Sequence, residues 1–357
     1  MKALRFLLTF EVPLAAVVGA QLGGPWTFLP VFLVFVLQPV LDEWLGLDRR
    51  NAGAAEAGAR DRNPLHRYLP RLWGPVQAAL LVWYLHAVTR GSFSALELVG
   101  LTVSVGLSSG AGAINAAHEL MHRARALDRA LAEFLMTSVT YPHFCVEHVE
   151  GHHRNVGTPA DPATARLGES VYRFVPRSVL GGLASAWRIE RRRAARLGLR
   201  RWSWRDRRVR MGLLTAALYA AVALAFGWAG VLFFAAQSAV AVGQLEVINY
   251  LEHYGLSRRE VGPGRYERVG AEHSWESAHR LTAWYLFNLP RHADHHARAS
   301  RPYWNLDHSE ASPQLPWGYS TVFLMALVPP LWRRVMDPRV PARSRGDRPL
   351  EEVAHVR

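Results

Sequence analysis

The sequence predicts an all-α integral membrane protein with six transmembrane helices and a cytoplasmic histidine-rich region. Half of the 357 residues are hydrophobic, yet Lys and Arg together outnumber Asp and Glu by 42 to 29. The two kinds of residue are segregated, because the apolar residues form long runs and the arginines lie between those runs. A soluble domain would intersperse them, so the pattern favours a membrane protein with arginine-rich loops.

A helix that crosses the hydrocarbon core needs about 20 mainly apolar residues. Six stretches meet or nearly meet this requirement, at about residues 3–22, 26–46, 72–90, 94–117, 211–229 and 231–251. A further apolar stretch at 319–331 is short and is interrupted by Pro329 and Pro330. We expect this stretch to pack against the bundle or to lie in the membrane interface.

The arginines predict the orientation of the helices. Loops 48–71 and 118–210 are rich in arginine, whereas the connections at 23–25 and 227–230 carry no charge. Because arginine-rich loops remain in the cytoplasm, both termini and both of these loops are predicted to be cytoplasmic.

Nine of the sixteen histidines gather at four places near the predicted cytoplasmic edge. On a helix, residues three or four apart share a face, so each i, i+4 pair is expected to aim two imidazoles at one point. A further histidine at i+3 or i+5 is expected to supply a third ligand to the same metal or a ligand to a second metal. The nine are His118 and His122; His148, His152 and His153; His253; and His292, His295 and His296.

The histidines also divide the chain into four regions. Residues 1–117 form the first four transmembrane helices, and 118–210 form a cytoplasmic loop with the first and second histidine groups. Residues 211–253 form the last two transmembrane helices and end in His253. Residues 254–357 form a cytoplasmic C-terminal region with the last histidine group.

Nine imidazoles exceed the three or four ligands of a zinc site and suit two metal ions with four or five nitrogens each. Nitrogen-rich sites without thiolates suit iron, copper, zinc or nickel, and ligand softness does not choose among them. The remaining histidines outside this region are expected to have structural roles; they are His66, His86, His143, His308 and His355.

Three other functions fit part of the pattern. His118, Glu119 and His122 have the spacing of a zinc protease motif with a glutamate base, so an intramembrane zinc metalloprotease is the alternative of a different class. It would leave the other seven histidines unexplained. A metal transporter would place its ligands near the middle of the membrane rather than at one face. Lys and Arg outnumber Asp and Glu, but the sequence contains no recognisable nucleic-acid-binding module. No nucleic-acid partner is therefore expected.

Several motifs resemble those of the integral-membrane alkane hydroxylases, the non-haem di-iron enzymes related to membrane fatty-acid desaturases. The resemblance begins at the four histidine places and covers nearly the whole chain. The other similar segments are 161–163, 166–170, 176–178, 264–268, 273–275, 329–339 and the Pro39, Asp42, Asp48 and Asn51 pattern. Departures occur at Arg123, Glu276, Ala278, 287–291 and 301–304, and none of these positions is one of the nine histidines.

The resemblance implies that the nine histidines named above bind two iron ions. It also implies O2-dependent hydroxylation of the terminal methyl of an alkane, or of a related hydrocarbon, to a primary alcohol. Electrons would come from a rubredoxin that docks on the cytoplasmic face, with a reductase upstream. The single Cys145 excludes a fused rubredoxin, which needs four cysteines. The implied location is a bacterial inner (cytoplasmic) membrane.

Alternatives within the same chemistry stay open: hydroxylation of an alkyl-aromatic methyl, and hydroxylation or desaturation of a fatty acyl chain. Acidic residues beside metal-binding histidines often orient the imidazoles. We therefore expect Glu119, Glu147, Glu252 and Asp294 to support the histidines. His273 and His279 are further candidates for this role.

Two surfaces are also expected to serve the reaction. A substrate channel is expected along Phe32, Phe35, Leu37, Leu101, Val105 and Leu107. The arginine run 188–208 is interpreted as a contact with anionic lipid headgroups, as a docking surface for an acidic electron carrier, or as both.

Overall fold

A computed structural model describes residues 3–200 and 202–344. Helices dominate this part of the chain. They are α1 (Leu4–Leu22), α2 (Gly24–Leu45), α3 (Ala54–Arg62), α4 (Pro64–Arg90), α5 (Ala95–Met121), α6 (Ala126–Thr137), α7 (144–155), α8 (Val171–Arg196), α9 (Arg207–His253), α10 (Arg280–Tyr285), α11 (His292–Ala297), α12 (Tyr319–Ala326) and α13 (Pro329–Met336). A small hairpin pairs β1 (Glu260–Gly262) with β2 (Arg265–Tyr266) in antiparallel fashion.

Four helices are long and apolar enough to cross a membrane: α1, α2, α5 and α9. Helix α9 has 47 residues, and its backbone breaks at Gly227, where φ is 68° and ψ is −170°. This left-handed conformation favours glycine, so α9 consists of two helical segments that meet where the fifth and sixth spans were predicted to meet. Helix α4 has 27 residues but carries Gln77 and His86 in its apolar stretch, and it is not among the four.

Local sequence explains where the long helices begin. Asn63 accepts a hydrogen bond from the backbone of Leu65 at 3.0 Å, and Pro64 occupies the first turn of α4. Ser94 and Glu97 form a reciprocal capping box at the start of α5. Glu97 also accepts a hydrogen bond of 2.6 Å from the backbone of Gly24, which joins the start of α5 to the start of α2.

Helix α5 lies at the centre of the bundle and packs against α1, α4 and α9. Glycines permit these close contacts. A Cβ at Gly112 would overlap the indole of Trp73 on α4, and a Cβ at Gly106 would lie 2.5 Å from the side chain of Val240 on α9. A mutation to a larger residue at either position would therefore push these helices apart.

Three stretches have π-helical hydrogen bonds: Leu33–Leu37 in α2, Ser109–Ile114 in α5 and His148–His152 in α7. A π-turn bonds residue i to residue i+5 and rotates the side chains that follow it, and such turns are frequent at functional sites. One of them ends just before the histidines of α5, and another contains two of the histidines of α7.

Helices α5 and α9 end in histidines on the same side of the bundle, and α7, α10 and α11 cover this end. Asp42 at the end of α2 holds α10, since its carboxylate accepts hydrogen bonds from the backbone of Leu281 and Thr282 at 2.9 and 3.0 Å. Helix α12 is too short to span a membrane, and its buried residues, including Tyr319 and Val322, pack in a cluster with Tyr250 of α9.

Candidate metal centre

The structure brings the histidines together in two groups of four. Group A contains His118, His122, His148 and His295, and group B contains His152, His253, His292 and His296. Within each group, the ligand nitrogens all lie within 4.8 Å of one another. The histidines of each group come from three places: a transmembrane helix or its C-terminus, α7 and α11. Each group is therefore formed by tertiary structure and not by one local motif.

His153 lies between the two groups. Its Nε2 is 3.0 Å from the Nε2 of His148 and 3.0 Å from the Nε2 of His295. His153 therefore adds a fifth imidazole nitrogen beside the four of group A. Its ring also stacks on His296 of group B, with the ring centroids 4.4 Å apart. All nine predicted histidines are therefore in one connected cluster.

The π-turn in α7 decides which histidines pair. Their spacing predicted that His148 and His152, four residues apart, share one point, and this prediction is wrong. In the π-turn, residues five apart align, so His148 meets His153 while His152 turns into group B.

In α11, which has ordinary α-helical geometry, the i, i+4 rule holds. His292 and His296 meet with their Nε2 atoms 3.0 Å apart. His295, at i+3, reaches group A, so α11 contributes to both groups.

The cluster has the chemistry of a metal site. Burial lowers the pKa of His122 to about 4, and burial with mutual repulsion lowers the pKa of His148 and His295 well below the ordinary histidine value. These three imidazoles therefore stay neutral, which is the form that binds metals.

The positions of the nitrogens also fit a shared cation. The Nε2 atoms of His118, His122 and His152 are buried and have no hydrogen-bond partner among the described residues. Nitrogens about 2.1 Å from one ion lie roughly 3 Å apart, as the Nε2 pair of His292 and His296 does.

Asp161 orients one histidine of group B, and this role was not predicted from the sequence. Its Oδ2 lies 2.9 Å from Nδ1 of His152, and Thr164 donates a hydrogen bond of 2.6 Å to the same oxygen. Burial opposes charge on both partners, but the ion pair outweighs it, so the pKa of His152 is raised and the pKa of Asp161 is lowered. Asp161 was noted only within a family-like segment, because nothing in its spacing links it to His152.

Two of the expected supporting residues contact group B, although not as expected. A carboxylate oxygen of Glu252 lies 3.3 Å from the Nε2 of His292, which is the nitrogen that faces the other histidines. Glu252 also accepts a hydrogen bond of 2.8 Å from Tyr319. His273 lies near His253 through its backbone carbonyl, 3.4 Å from Nδ1 of His253. The His273 ring turns away to Glu267 at 3.3 Å.

The other expected supporting residues lie elsewhere. Glu119 forms an ion pair with Arg123, and Asp294 pairs with Arg298 and with Arg301. Both carboxylates point from the histidine helices toward neighbouring arginines. The carboxyl Oε1 of Glu147 is buried without a hydrogen-bond partner among the described residues, and burial raises its pKa to about 8.

The isolated histidines do not join the cluster. His279 contacts Ser277 at 2.8 Å and Glu43 at 3.3 Å, and His308 contacts Glu276 at 2.7 Å. The ring of His66 stacks on Trp304, His143 lies against Tyr141, and His86 is exposed. His355 lies outside the described residues.

An apolar cavity leads to the histidines. His118, His148 and His292 line one part of it, and apolar side chains such as Val12, Val34 and Phe323 line other parts. The cavity therefore joins the membrane-embedded part of the bundle to members of both histidine groups.

Of the six side chains expected to line a channel, Phe35 lines this cavity. Phe32 and Leu37 are exposed on the outside of the bundle. The others fill the spaces between helices: Leu101 and Val105 pack in one apolar cluster, and Leu107 packs in another with Val12 and Val34. Hydrophobicity alone does not separate these three environments.

The fold and site define a multi-pass helical membrane protein with a histidine-rich metal-type site, and comparisons with known proteins agree. The family described as fatty acid desaturase matches residues 93–324. Two alkane 1-monooxygenases of Pseudomonas aeruginosa are similar: alkane 1-monooxygenase 1 is 42% identical over 348 residues (96% of this chain and 91% of the relative), and alkane 1-monooxygenase 2 is 41% identical over 333 residues (92% and 88%).

A more distant relative is the hydroxylase component of xylene/toluene monooxygenase from Pseudomonas putida, 28% identical over 336 residues (93% of this chain and 87% of the relative). The chain therefore belongs to the fatty acid desaturase family and, within it, to the alkane monooxygenase group.

Proposed function

We propose that this protein is a monooxygenase that hydroxylates the terminal methyl of alkanes or related hydrocarbon chains at a di-iron centre held by its nine clustered histidines. One observation carries the proposal: an apolar cavity ends at two groups of four imidazoles, seven of which belong to buried residues. The names of the similar alkane 1-monooxygenases support the substrate class.

Group A with His153 would hold one iron ion, and group B would hold the other. The bound irons would activate O2 with two electrons, which is chemistry that no side chain supplies. The chain contributes the remaining functions. Asp161 fixes the orientation of His152 through its Nδ1, and the backbone carbonyl of His273 does the same for His253 at a longer distance.

The cavity would bind and position the hydrocarbon. An alkane has no polar group, so its affinity comes from apolar contact and its position from the shape of the cavity. Side chains of α1, α2 and α12, among them Val12, Phe35 and Phe323, would enclose the chain and exclude water. One end of the hydrocarbon would then lie beside His118 and His292.

We further propose the six-span topology with both termini and the histidines on the cytoplasmic side of a bacterial inner membrane. The break at Gly227 supports two spans in α9, and the length of α4 supports a span there. The histidine end of the bundle carries loops 48–71 and 118–210, which are rich in arginine, whereas Gly23 and Gly227 mark uncharged connections. The four-region division of the chain at 117, 210 and 253 follows from this topology.

Rubredoxin is the proposed electron donor, and exposed arginines of α8 support a docking surface for an acidic carrier. Arg188, Arg191, Arg192 and Arg196 are exposed. Arg207, by contrast, forms ion pairs with Glu150 and Glu190 and so has a structural role. Arg201, in the middle of the arginine run, lies outside the described residues.

A second candidate substrate is an alkyl-substituted aromatic compound, whose methyl group would be hydroxylated by the same chemistry. The similarity to the xylene/toluene monooxygenase hydroxylase component favours it. A zinc protease is disfavoured, because Glu119 pairs with Arg123 and all nine histidines belong to one cluster.

The test is to purify the protein, measure its metals and analyse its products. We expect about two irons per chain and the formation of 1-octanol from octane with reduced rubredoxin and O2. His152→Ala should lose iron and reduce turnover by about 100-fold or more, because it removes a ligand. His86→Ala is the matched control, since His86 is exposed and belongs to neither histidine group. One zinc per chain, or methyl oxidation of xylene without octane oxidation, would contradict the proposal.

A further inference from the structure

We propose that Asn115 and Gln244 form a hydroxyl-binding subsite in the apolar cavity, and that it binds the terminal hydroxyl of a long-chain primary alcohol. The inference rests on the proposed function, because such an alcohol is the product of terminal hydroxylation. It adds a polar site for that product to a cavity whose other walls suit the hydrocarbon.

Two buried amide atoms carry the inference. Asn115 is only 5% exposed, and its Nδ2 is buried with no hydrogen-bond partner among the described residues. The Oε1 of Gln244 is also buried without a partner in the described chain. Both residues line the cavity. A buried polar group without a partner costs about 1–3 kcal/mol, so both atoms favour a polar ligand.

The two atoms together match the chemistry of a hydroxyl group. A hydroxyl donates one hydrogen bond and accepts up to two, whereas an alkane does neither. The Nδ2 of Asn115 offers a donor and the Oε1 of Gln244 offers an acceptor. Rotating both amides by 180° exchanges the donor and the acceptor and leaves the pair matched to a hydroxyl.

The π-turn of α5 places the subsite next to the histidines. Residues five apart align in such a turn, so Gly110 and Asn115 lie on one face, and Asn115 precedes His118 by three residues. The carboxamide of Gln244 lies against Gly110, where a Cβ would overlap it. Gly110, Asn115 and His118 all line the cavity. The subsite is thus about one helical turn, or about 5 Å along the axis, from a group A histidine.

Apart from the histidines, which would bind the metals, other polar residues of the cavity have hydrogen-bond partners among the described residues. Ser320 donates to Gln38 at 3.2 Å, and Tyr319 donates to Glu252 at 2.8 Å. Tyr285 donates to Glu11. These pairs satisfy each other's hydrogen bonding without a ligand. A hydroxyl in the cavity therefore finds groups with unsatisfied hydrogen bonding at Asn115 and Gln244.

The test compares the binding of radiolabelled 1-octanol and octane to the purified iron-loaded protein in nanodiscs, with binding to empty nanodiscs subtracted. Asn115→Leu and Gln244→Met keep the size of each side chain and remove its hydrogen bonding. Each should weaken 1-octanol binding by about ten-fold, the loss of one hydrogen bond from a buried site, and leave octane binding within about two-fold. Ser320→Ala is the matched control and should change the 1-octanol to octane ratio by less than two-fold.

The proposal is overturned if both ligands lose affinity equally in the two variants, or if the unmutated protein binds 1-octanol no more tightly than octane. Iron content of each variant shows whether it has folded, and the two variants lie on different helices, so misfolding of one leaves the other to decide. Because binding is measured without electrons or turnover, failure to hydroxylate octane would count against the proposed function and not against the subsite.

Discussion

The two histidine groups have equal numbers of members but different surroundings. Group B is fully buried, and it has Asp161 at 2.9 Å from His152 and Glu252 at 3.3 Å from His292. In group A, His122 is only partly buried, as is the neighbouring His153, and no comparable carboxylate contact to its imidazoles is found in the described parts of the chain. Carboxylates that hold imidazoles strengthen metal binding, so the two groups should hold their metals unequally.

The largest expected effect comes from removing the carboxylate that distinguishes group B. Asp161→Asn keeps the size of the side chain but removes the charge that favours the Nδ1 proton of His152. Metal affinity of group B should fall by about 10–100-fold, while group A keeps its metal. Metal content after dialysis against graded chelator measures this change.

Glu267→Gln serves as the control for that variant, because Glu267 contacts His273 and is one residue further from the metal ligands. Loss of both metals in Asp161→Asn, with secondary structure intact, would show that the two groups bind as one unit and would remove the proposed difference between them.

A smaller effect is expected from chelation of the unmutated protein. Group A should release its metal several-fold faster than group B, because a partly exposed histidine and the absence of carboxylate support lower its barrier to exchange. Iron release with a coloured chelator should therefore show two phases of about equal amplitude. A single phase accounting for both irons would contradict the comparison.

The smallest effect should follow Tyr319→Phe. Tyr319 donates a hydrogen bond of 2.8 Å to Glu252, so its removal frees the carboxylate that approaches His292. One lost hydrogen bond is worth about 1 kcal/mol, and octane turnover should fall by about five-fold with iron content unchanged. Tyr285→Phe, which removes a cavity hydroxyl bound to Glu11 instead, is the matched control for a general effect on the cavity.

Much of the fold follows from the sequence, because apolar runs and helix length are local properties. The runs near 3–22, 26–46 and 94–117 correspond to α1, α2 and α5, and the last two predicted spans correspond to the two parts of α9. The sequence also selected the nine histidines that cluster, since their density at four places is unusual for structural residues.

The division of the histidines into groups did not follow from the sequence. It depends on the π-turn at His148–His152, and no residue there identifies an inserted turn in advance. The role of Asp161 depends on tertiary contact with His152, so proximity in sequence favoured Glu119 and Asp294 instead, which pair with arginines. Burial, lipid contact and cavity lining all select apolar residues, which is why Phe35 was not distinguishable from Phe32.

The π-turn at Ser109–Ile114 connects two functions of α5. Gly110, Ala111 and Ile114 of the turn line the cavity, and His118 follows the turn. In an α-helix each residue advances the side-chain direction by about 100°, so removing a single residue from this turn would rotate His118 by about that angle relative to the cavity wall. The extra residue therefore sets the direction in which His118 points relative to the cavity wall. Substitutions that reshape the wall can accumulate without changing this direction. A one-residue deletion in the turn would misalign His118 and the wall even if every other side chain were retained.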